Sequence, residues 1–421
     1  MLKSLAAALG VPVAPDRPDQ GAPANYAPFG TTDGSNLHGL TTPGGDFGTV
    51  SRGEPVIQEL DAAAQLAARL TEETWRLEIA ADPFATMPHA AAAAAVATER
   101  TVAGGNAVDV AGLRELAKTD GVSVLKAMQC LNVAAPLGQG LWTGVPLAAV
   151  LRKFCGPMEN VRRINFWGYH NDDPAQKFCS SVSYTECFEP VPGEPPVLLA
   201  FELNGRPVSL GRGGPVRMVV PYAHGFKSVK WLTHISLTND YRVADTYASL
   251  DGMNDPASFL KTAAYITPGP ATLPHGQPLV LAGTVVSGRT PLLHVEHWVR
   301  RVEPTEATGK LPPLPDDAPE LLAAPWRPCE LQPPPVDWAA ALSNGASVER
   351  LHGFDTVSGS PTEWPMRFGY AGFTATITGL EPGEYEVRAR AVDVAGNAQP
   401  QPRPQQKSGK NAIECRRVIV L

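Results

Sequence analysis

The sequence predicts an α+β domain followed by an all-β domain. The 421 residues include 39 glycines and 42 prolines, a share that favours strands, turns and ordered loops over a helical bundle. Short helical and strand patterns alternate from about residue 100 to 260, and evenly spaced strand patterns follow to the C-terminus. We therefore divide the chain into a loop-rich N-terminal extension (1–57), an α+β domain (58–260) and an all-β domain (261–421).

The elements of the α+β domain follow from apolar spacing and turn residues. Leu60, Ala64, Ala67 and Leu70 share one helical face. The alanine-rich segment "MPHAAAAAAVATER" has high helix propensity. Later segments are predicted in this order: a helix in "VDVAGLRELAKTDG", a strand in "SVLKAMQC", a helix that starts at Pro146 and ends before Gly156, and strands in "VRRINFWGY" and "VLLAFELNGRPV", the last with a hairpin turn at Asn204-Gly205.

The C-terminal part shows strand alternation. In "YEVRARAV", Tyr385, Val387, Ala389 and Ala391 occupy one face, and Glu386, Arg388 and Arg390 occupy the other. A proline-rich insertion, "PPLPDDAPELLAAPWRPCELQPPPVDW", interrupts these strands. The pattern predicts a β-sandwich of immunoglobulin type.

Composition excludes several functional classes. A formal net charge of −7 with 18% charged residues argues against a surface that binds nucleic acid. No apolar run of about 18 residues predicts a membrane span. The start, "MLKSLAAALGVPVAPDRPDQ", is interpreted as a short helix or arm, which leaves cytoplasmic and periplasmic locations open. The six cysteines form no CxxC motif, which excludes c-type haem attachment and zinc-ribbon sites, and most are predicted to be buried free thiols.

Cys130 is a candidate metal ligand. It follows a strand-like run, and a thiolate at the end of a strand can point into a cleft, where a soft ligand suits a transition metal. The alternative is a small buried apolar residue.

Four cations within and beside two apolar runs predict an anion site. They are Arg212, Arg217, Lys227 and Lys230. Arginine offers a planar fork to phosphate and lysine offers a mobile charge, while backbone N–H groups near Ser228 and Val229 add donors. The alternative is a solvated strand edge with ordinary ion pairs.

The same residues resemble the sulfite oxidase family of molybdenum enzymes. Three segments occur in the family's order: "MQC…LWTGVPLAAVL", "LLAFELNGRPVSLGRGGPVRMVVP" and "HGFKSVKWLTHISLT". The resemblance is specific from about residue 110 to 260, and "EYEVRARAVDVAGNAQPQP" resembles the family's dimerisation domain. It implies a sulfite-oxidase-like molybdopterin-binding domain followed by an immunoglobulin-like domain that pairs subunits into a homodimer.

The resemblance also implies roles for individual residues. Cys130 matches the thiolate that ligates molybdenum. Arg217, Lys230 and the amides of Ser228 and Val229 match the anchor of the molybdopterin phosphate, and Arg212 stands where relatives contact the pterin.

Three further positions carry over from the family. Tyr247 stands at the position of an active-site tyrosine, with a core or rim aromatic as the alternative. Arg367 stands near an arginine that holds the substrate anion. Arg52, in "FGTVSRGEPV", stands in place of the family's Arg-Asn-His signature.

The departures from the family pattern bear on the substrate. The chain reads "CLNVAAPLGQGLW", without the family's usual glycine and arginine after the cysteine, and "HGFKSVK" is similar to the bacterial methionine-sulfoxide-reductase branch. We therefore expect a molybdenum-dependent oxidoreductase that performs oxygen-atom transfer on a small sulfur compound. It would use a molybdenum–molybdopterin cofactor and an external electron carrier such as a cytochrome. The alternatives are an S- or N-oxide reductase on the same cofactor and a cofactor-free binding protein on the same scaffold.

Overall fold

The structure, a computed structural model, describes residues 40–42, 47–48, 57–83, 92–130, 136–169, 178–243, 245, 258–302, 314–315, 317–401 and 411–421. Within these ranges helices and sheets are mixed, which confirms the predicted α+β character of the first half. None of the helices in the described ranges is long and apolar enough to cross a bilayer. The division of the chain at 57/58 and 260/261 stays a prediction.

In the described residues of the N-terminal half there are four short α-helices and eleven strands. The helices are α1 (Ala62–Ala67), α2 (Val110–Asp120), α3 (Leu147–Cys155) and α4 (Tyr184–Phe188). The strands are β1 (Glu78–Ala81), β2 (Ala95–Val96), β3 (Val122–Met128), β4 (Gly138–Pro146), β5 (Met158–Glu159), β6 (Arg163–Gly168), β7 (Cys179–Ser183), β8 (Leu198–Leu203), β9 (Arg206–Pro207), β10 (Arg217–Val219) and β11 (Leu232–Thr238).

Local sequence explains several of these boundaries. Pro146 precedes α3 and Gly156, at φ 70°, follows it, as the sequence predicts. The turn between β8 and β9 has positive φ at Asn204 and Gly205, which confirms the predicted hairpin. The alanine-rich segment is a counterexample to propensity, because Ala95–Val96 forms β2 and pairs with β5.

Two sheets organise this half. One has the strand order β1-β11-β6-β7, and the other has the order β10-β8-β4-β3, with β9 paired to β8. Helices α2 and α3 bury their apolar faces in a common core with residues of both sheets. The second sheet ends at β3, so the residues that follow Met128 leave the sheet at its edge.

The C-terminal half is dominated by strands. Its helices are α5 (Pro319–Leu322) and α6 (Trp338–Ala341). Its strands are β12 (Ala263–Ile266), β13 (Thr272–Leu273), β14 (Leu279–Val286), β15 (Leu292–Val302), β16 (Arg327–Pro328), β17 (Glu330–Leu331), β18 (Phe354–Asp355), β19 (Ser360–Pro361), β20 (Tyr370–Ile377), β21 (Gly383–Asp393) and β22 (Glu414–Val420).

Two sheets in this half share one core. Their strand orders are β12-β14-β20-β17 and β13-β22-β21-β15-β16, and both contribute side chains to the same apolar cluster. In β21 the predicted alternation is confirmed for Tyr385, Val387 and Ala389, which face this core. The opposite face is not solvated, since Glu386 and Arg388 are also buried.

The proline-rich insertion accounts for that burial. Arg388 Nη2 donates to Leu314 O at 2.6 Å, and Arg390 lies with its guanidinium carbon 4.1 Å from the ring centroid of Trp326. The described part of the insertion therefore covers the polar face of the second sheet.

The two halves are bonded to each other directly. Ala127 N, in β3, donates to Phe368 O at 2.8 Å. Gln139, in β4, is buried, and its side chain donates to Leu40 O at 2.9 Å and accepts from Tyr370 N at 2.6 Å. The largest apolar cluster contains residues of both halves.

All six cysteines are free. Only Cys155 and Cys187 are buried, whereas the other four are partly exposed. The expectation that most would be buried is therefore wrong.

Candidate functional site

A pocket brings the strongest sequence candidates together. It contains about 880 Å³ of empty space, part of it open to solvent. Six of the predicted site residues line it: Cys130, Arg212, Arg217, Ser228, Val229 and Lys230. The remaining described lining residues are apolar, aromatic or glycine, and no carboxylate is among them. The pocket therefore combines one thiol with three cationic side chains.

Cys130 reaches the pocket because β3 ends two residues before it. The backbone N–H of Gly225 donates to Gln129 O at 2.7 Å, so the chain beside the cysteine is tied to the loop that follows β10. A β-carbon on Gly225 would lie 3.3 Å from that same oxygen, which makes glycine the residue that best tolerates this approach. Cys130 is partly exposed, as a metal ligand in a cleft needs to be.

Arg217 is buried in β10 and forms one wall of the pocket. Its Nη1 donates to Arg212 O at 2.8 Å and its Nη2 donates to Ser228 O at 2.5 Å. The guanidinium carbon lies 4.8 Å from the ring centroid of Trp142, a cation–π contact. Its Nε has no hydrogen-bond partner among the described residues. Burial, and then the charge of Arg212, lower the pKa of Arg217, as expected of a buried cation without an anion.

Arg212 and Lys230 lie on the loops before and after β10. Lys230 Nζ donates to Gly211 O at 3.0 Å, and Arg212 Nη1 donates to Gly48 O at 3.3 Å. Burial, followed by the charges of Arg217 and Arg212, lowers the pKa of Lys230 to about 7. The three cations repel one another, and their hydrogen bonds to the described residues go only to carbonyl oxygens. An anion in the pocket would therefore be strongly favoured.

Ser228 and Val229 contribute differently from one another. The N–H of Ser228 is already used in a turn, since it donates to Gly225 O at 3.0 Å, and its Oγ accepts from Val220 N at 3.1 Å. No described residue accepts a hydrogen bond from the N–H of Val229. The donors left for a ligand are therefore the Val229 amide and the Ser228 hydroxyl.

Lys227 does not belong to the cationic set. Its Nζ donates to Asp245 Oδ2 at 2.8 Å and to Ser181 O at 3.0 Å, and both charged side chains are buried. The carboxylate of Asp245 also accepts from the hydroxyls of Ser180 and Ser181. The inclusion of Lys227 in the anion site is wrong, because its counter-ion comes from within the protein.

Arg367 lies in a different cavity. It lines a space of about 580 Å³ together with His352, Thr362 and Glu363, and its guanidinium is held by both oxygens of Glu363 at 2.8 and 3.0 Å. The structure therefore does not bring Arg367 into the Cys130 pocket. Tyr247 and Arg52 lie outside the described residues.

Two residues near the pocket were missed by the sequence analysis. Trp142 lines the pocket and stacks on Arg217, and its place in "LWTGVPL" gave no sign of this contact. Lys126 is fully buried in β3, and the signal was present, because a lysine interrupts the apolar run "SVLKAMQC".

The donor set fits a metal-bearing, phosphorylated cofactor. A thiolate is a ligand for a soft transition metal, and three cations with an unpartnered Nε at Arg217 suit a phosphate group. The aromatic walls formed by Phe47, Trp142 and Phe178 suit a flat organic ring system.

Comparison with known proteins points to the same cofactor. Residues 102–245 match the family model described as "Oxidoreductase molybdopterin binding domain", and this segment contains Cys130, Arg212, Arg217 and Lys230. Mitochondrial sulfite oxidase of Drosophila melanogaster is 30% identical over 112 residues, which cover 26% of this chain and 19% of that protein. The same enzyme of Macaca fascicularis is 35% identical over 97 residues, which cover 23% of this chain and 17% of that protein.

A nitrate reductase and one solved structure extend the comparison. The NADPH nitrate reductase of Beauveria bassiana is 34% identical over 107 residues, which cover 25% of this chain and 11% of that protein. The match thus spans less than a fifth of each of these three relatives. The crystal structure of the sulfane dehydrogenase SoxCD from Paracoccus pantotrophus has a TM-score of 0.55 and 15% sequence identity, and the match covers 94% of this chain and 92% of that one. It shows a common fold along nearly the whole chain.

Proposed function

From the premise that the chain belongs, through residues 102–245, to the sulfite oxidase family of molybdopterin-binding oxidoreductases, we propose that it catalyses two-electron oxygen-atom transfer on a small sulfur compound. The observation that carries the proposal is the single pocket in which the Cys130 thiol meets three cations and no described carboxylate. Relatives named for sulfite oxidation and nitrate reduction support oxygen-atom transfer on small oxyanions as the general chemistry.

Each pocket residue has a defined role in this proposal. Cys130 ligates molybdenum through its thiolate. Arg217 and Lys230 hold the cofactor's phosphate, with Arg212 at the pterin and with donors from the Val229 amide and the Ser228 hydroxyl. When bound, the cofactor supplies a metal that accepts or donates two electrons as oxygen is transferred. The walls formed by Phe47, Trp142 and Phe178 exclude water and strengthen the electrostatic contacts.

Two residues outside the described ranges complete the proposal. Tyr247 is proposed to orient the substrate. Arg52 is proposed as a further cofactor contact. The substrate role expected for Arg367 is not retained, because its guanidinium is paired with Glu363 outside the pocket.

The position of Arg367 favours a second candidate reaction, the reduction of an S- or N-oxide on the same cofactor. A sulfite anion calls for a cation beside the metal, and the arginine predicted for that purpose lines another cavity. An uncharged sulfoxide or N-oxide does not require a cation beside the metal. The two candidates differ in the charge of the substrate and in the direction of oxygen transfer.

Partners and assembly follow the family pattern in our proposal. An external carrier, such as a cytochrome, exchanges electrons with the pocket. We also propose that the C-terminal sheets form an immunoglobulin-like domain that pairs two subunits, which is supported by the two-sheet core and by the strand spacing. The mass of the protein in solution, measured by light scattering, tests the homodimer.

Elemental analysis and turnover test the function. The protein, expressed with molybdate, is expected to contain about one molybdenum per chain and to turn over sulfite or methionine sulfoxide with an artificial electron carrier. Cys130→Ser is expected to abolish both activities, and Cys415→Ser, at a partly exposed cysteine of β22, is the matched control. Wild-type protein without molybdenum or released pterin would favour the third possibility, a cofactor-free binding protein. Full activity in Cys130→Ser would contradict the role of the thiolate.

A further inference from the structure

Lys126 is a buried cation whose described contacts include no carboxylate. It lies in β3, four residues before Cys130, and its side chain is fully buried. Its Nζ donates to Pro221 O at 2.5 Å and to Ala223 O at 2.9 Å. Burial, and then the charge of Arg217, lower the pKa of Lys126 to about 7. A buried charge lowers the stability of the fold unless hydrogen bonds and a countercharge offset the cost of its desolvation.

The two carbonyls that Lys126 binds belong to the turn that forms the pocket wall. They lie on either side of Tyr222, between β10 and the short 3-10 turn Gly225–Lys227. The same turn is joined to the chain beside Cys130 by the hydrogen bond from Gly225 N to Gln129 O. Strand β3 and this loop are thus connected at two points before the loop reaches Ser228, Val229 and Lys230.

Among the described residues, the side-chain contacts of Lys126 include no carboxylate. His224 is also buried, and neither of its ring nitrogens has a hydrogen-bond partner in the described part of the chain; burial together with the charges of Lys126 and Lys261 lowers the pKa of His224 to about 3. The charge of Arg217 also acts on Lys126. The charge of Lys126 therefore adds to the positive field of the pocket cations, and an anion bound in the pocket would stabilise all of them.

We propose that Lys126 is a positioning residue for the pocket: its ammonium fixes the loop 221–230 against the strand that leads to Cys130, and the bound anion supplies its countercharge. The inference rests on the proposed function, because it takes the anion to be the cofactor's phosphate. In this proposal Lys126 fixes the position of the phosphate site relative to the metal ligand, and it contacts neither of them.

The test uses the full chain and three variants. Lys126→Met keeps the length of the side chain and removes both the charge and the donors, Lys126→Gln keeps donors without charge, and Lys126→Arg keeps both. Lys118→Met, an exposed lysine of α2 paired with Glu115, is the matched control. Two measurements need no cofactor: hydrogen exchange in the loop 221–230, and the affinity of the cofactor-free protein for sulfate. Molybdenum per chain is the third.

The loop amides of Lys126→Met are expected to exchange about tenfold faster, because the carbonyls of Pro221 and Ala223 lose their charged donor. Its sulfate affinity is expected to fall by about fivefold, since a nearby unit charge is lost. Its molybdenum content should fall as well. Lys126→Arg should recover sulfate affinity and loop protection, and Lys118→Met should match the wild type. If Lys126→Met does not fold, Lys126→Gln is judged by the same measurements.

The possible failures are distinguishable. Wild-type loop exchange and sulfate affinity in Lys126→Met would overturn the positioning role. A variant that loses stability but binds sulfate normally once folded would also overturn it, because its lysine would then be structural only. Wild-type protein that lacks molybdenum would count against the proposed function alone, since exchange and sulfate binding are measured without cofactor.

Discussion

At the scale of single residues, two neighbouring lysines show the difference between a cation that is paired with a carboxylate and one that is not. Lys227 and Lys230 are three positions apart and look equivalent in the sequence. Lys227 is paired with the carboxylate of Asp245, whereas Lys230 donates its described hydrogen bond to a carbonyl oxygen. The difference depends on a partner 18 residues away, and it separates a structural ion pair from a cation that we propose binds an anion.

Lys230 should make anion binding depend on pH. In the empty pocket its pKa is lowered to about 7, so it is protonated below that value and neutral above it. An anion raises this pKa, and binding above pH 7 therefore takes up a proton. Sulfate affinity is expected to fall as pH rises from 7 to 9, by at most about tenfold per unit. Isothermal titration with sulfate, whose charge is constant in this range, measures it.

Lys230→Arg is the matched variant for that experiment. A guanidinium stays charged throughout this pH range, so the decline in sulfate affinity above pH 7 should become much weaker. Equal pH dependence in the two proteins would show that another group controls binding.

The buried pair of Lys227 and Asp245 should be costly to break. Asp245→Asn leaves the buried ammonium without a countercharge, and we expect the free energy of unfolding to fall by about 3 kcal/mol. Asp240→Asn is the control, since Asp240 pairs with an exposed arginine, Arg242, and should cost about 1 kcal/mol or less. Denaturant unfolding at pH 7 gives both values, and equal losses would contradict this interpretation.

At the scale of elements, the pocket depends on a turn that packs closely on a side chain. Gly213 has φ 96°, and a β-carbon there would lie 2.6 Å from Cβ and Cγ of Lys230. Its carbonyl accepts from Trp231 N at 2.8 Å, and the neighbouring carbonyls of Gly211 and Arg212 accept from Lys230 and Arg217. The turn thus orients two of the three cations.

Gly213→Ala should therefore weaken anion binding. The new methyl group displaces Lys230, and overpacking of this kind costs about 1–3 kcal/mol. Gly193→Ala is the matched control, because Gly193 has a similar φ of 81° with no atom within 4 Å of a β-carbon. Both variants place alanine at a positive φ and therefore carry similar backbone strain. If sulfate affinity falls only in Gly213→Ala, the loss comes from the contact with Lys230. Similar affinities would contradict it.

The elements also show what the sequence could predict. Strands, the hairpin at Asn204-Gly205 and the limits of α3 follow from local rules. The cations inside apolar runs predicted a common site, and Arg217 and Lys230 line the same pocket, while their binding roles stay predictions. Arg367 lies in another cavity, because its position depends on how the C-terminal half packs and on Glu363 four residues before it. Long-range packing of this kind produces no periodic pattern in the amino-acid sequence.

At the scale of the whole molecule, the two halves share a core and side-chain hydrogen bonds. Apolar residues from both halves belong to the largest cluster, and Gln139 connects β4 with Leu40 and Tyr370. Halves joined in this way are expected to unfold together, although a chain of this length often shows intermediates.

Gln139→Leu should weaken that connection. It leaves Leu40 O and Tyr370 N unsatisfied, and we expect the free energy of unfolding to fall by about 3 kcal/mol. Gln277→Leu, at an exposed turn, should change it little. Tryptophan fluorescence and far-ultraviolet circular dichroism followed in guanidinium should give coincident transitions for the wild type. Separate transitions in the wild type would mean that the halves are independent.

The hydrogen bond from Ala127 N to Phe368 O lies only three residues from the sulfur of Cys130. A shift of Phe368 thus reaches the residue proposed as the metal ligand through three residues of chain. We expect strain in the C-terminal half, such as that from an assembly contact, to change the proposed bond between the Cys130 thiolate and molybdenum, and with it the reduction potential. Screening for changed redox behaviour should accordingly include substitutions far from the cavity.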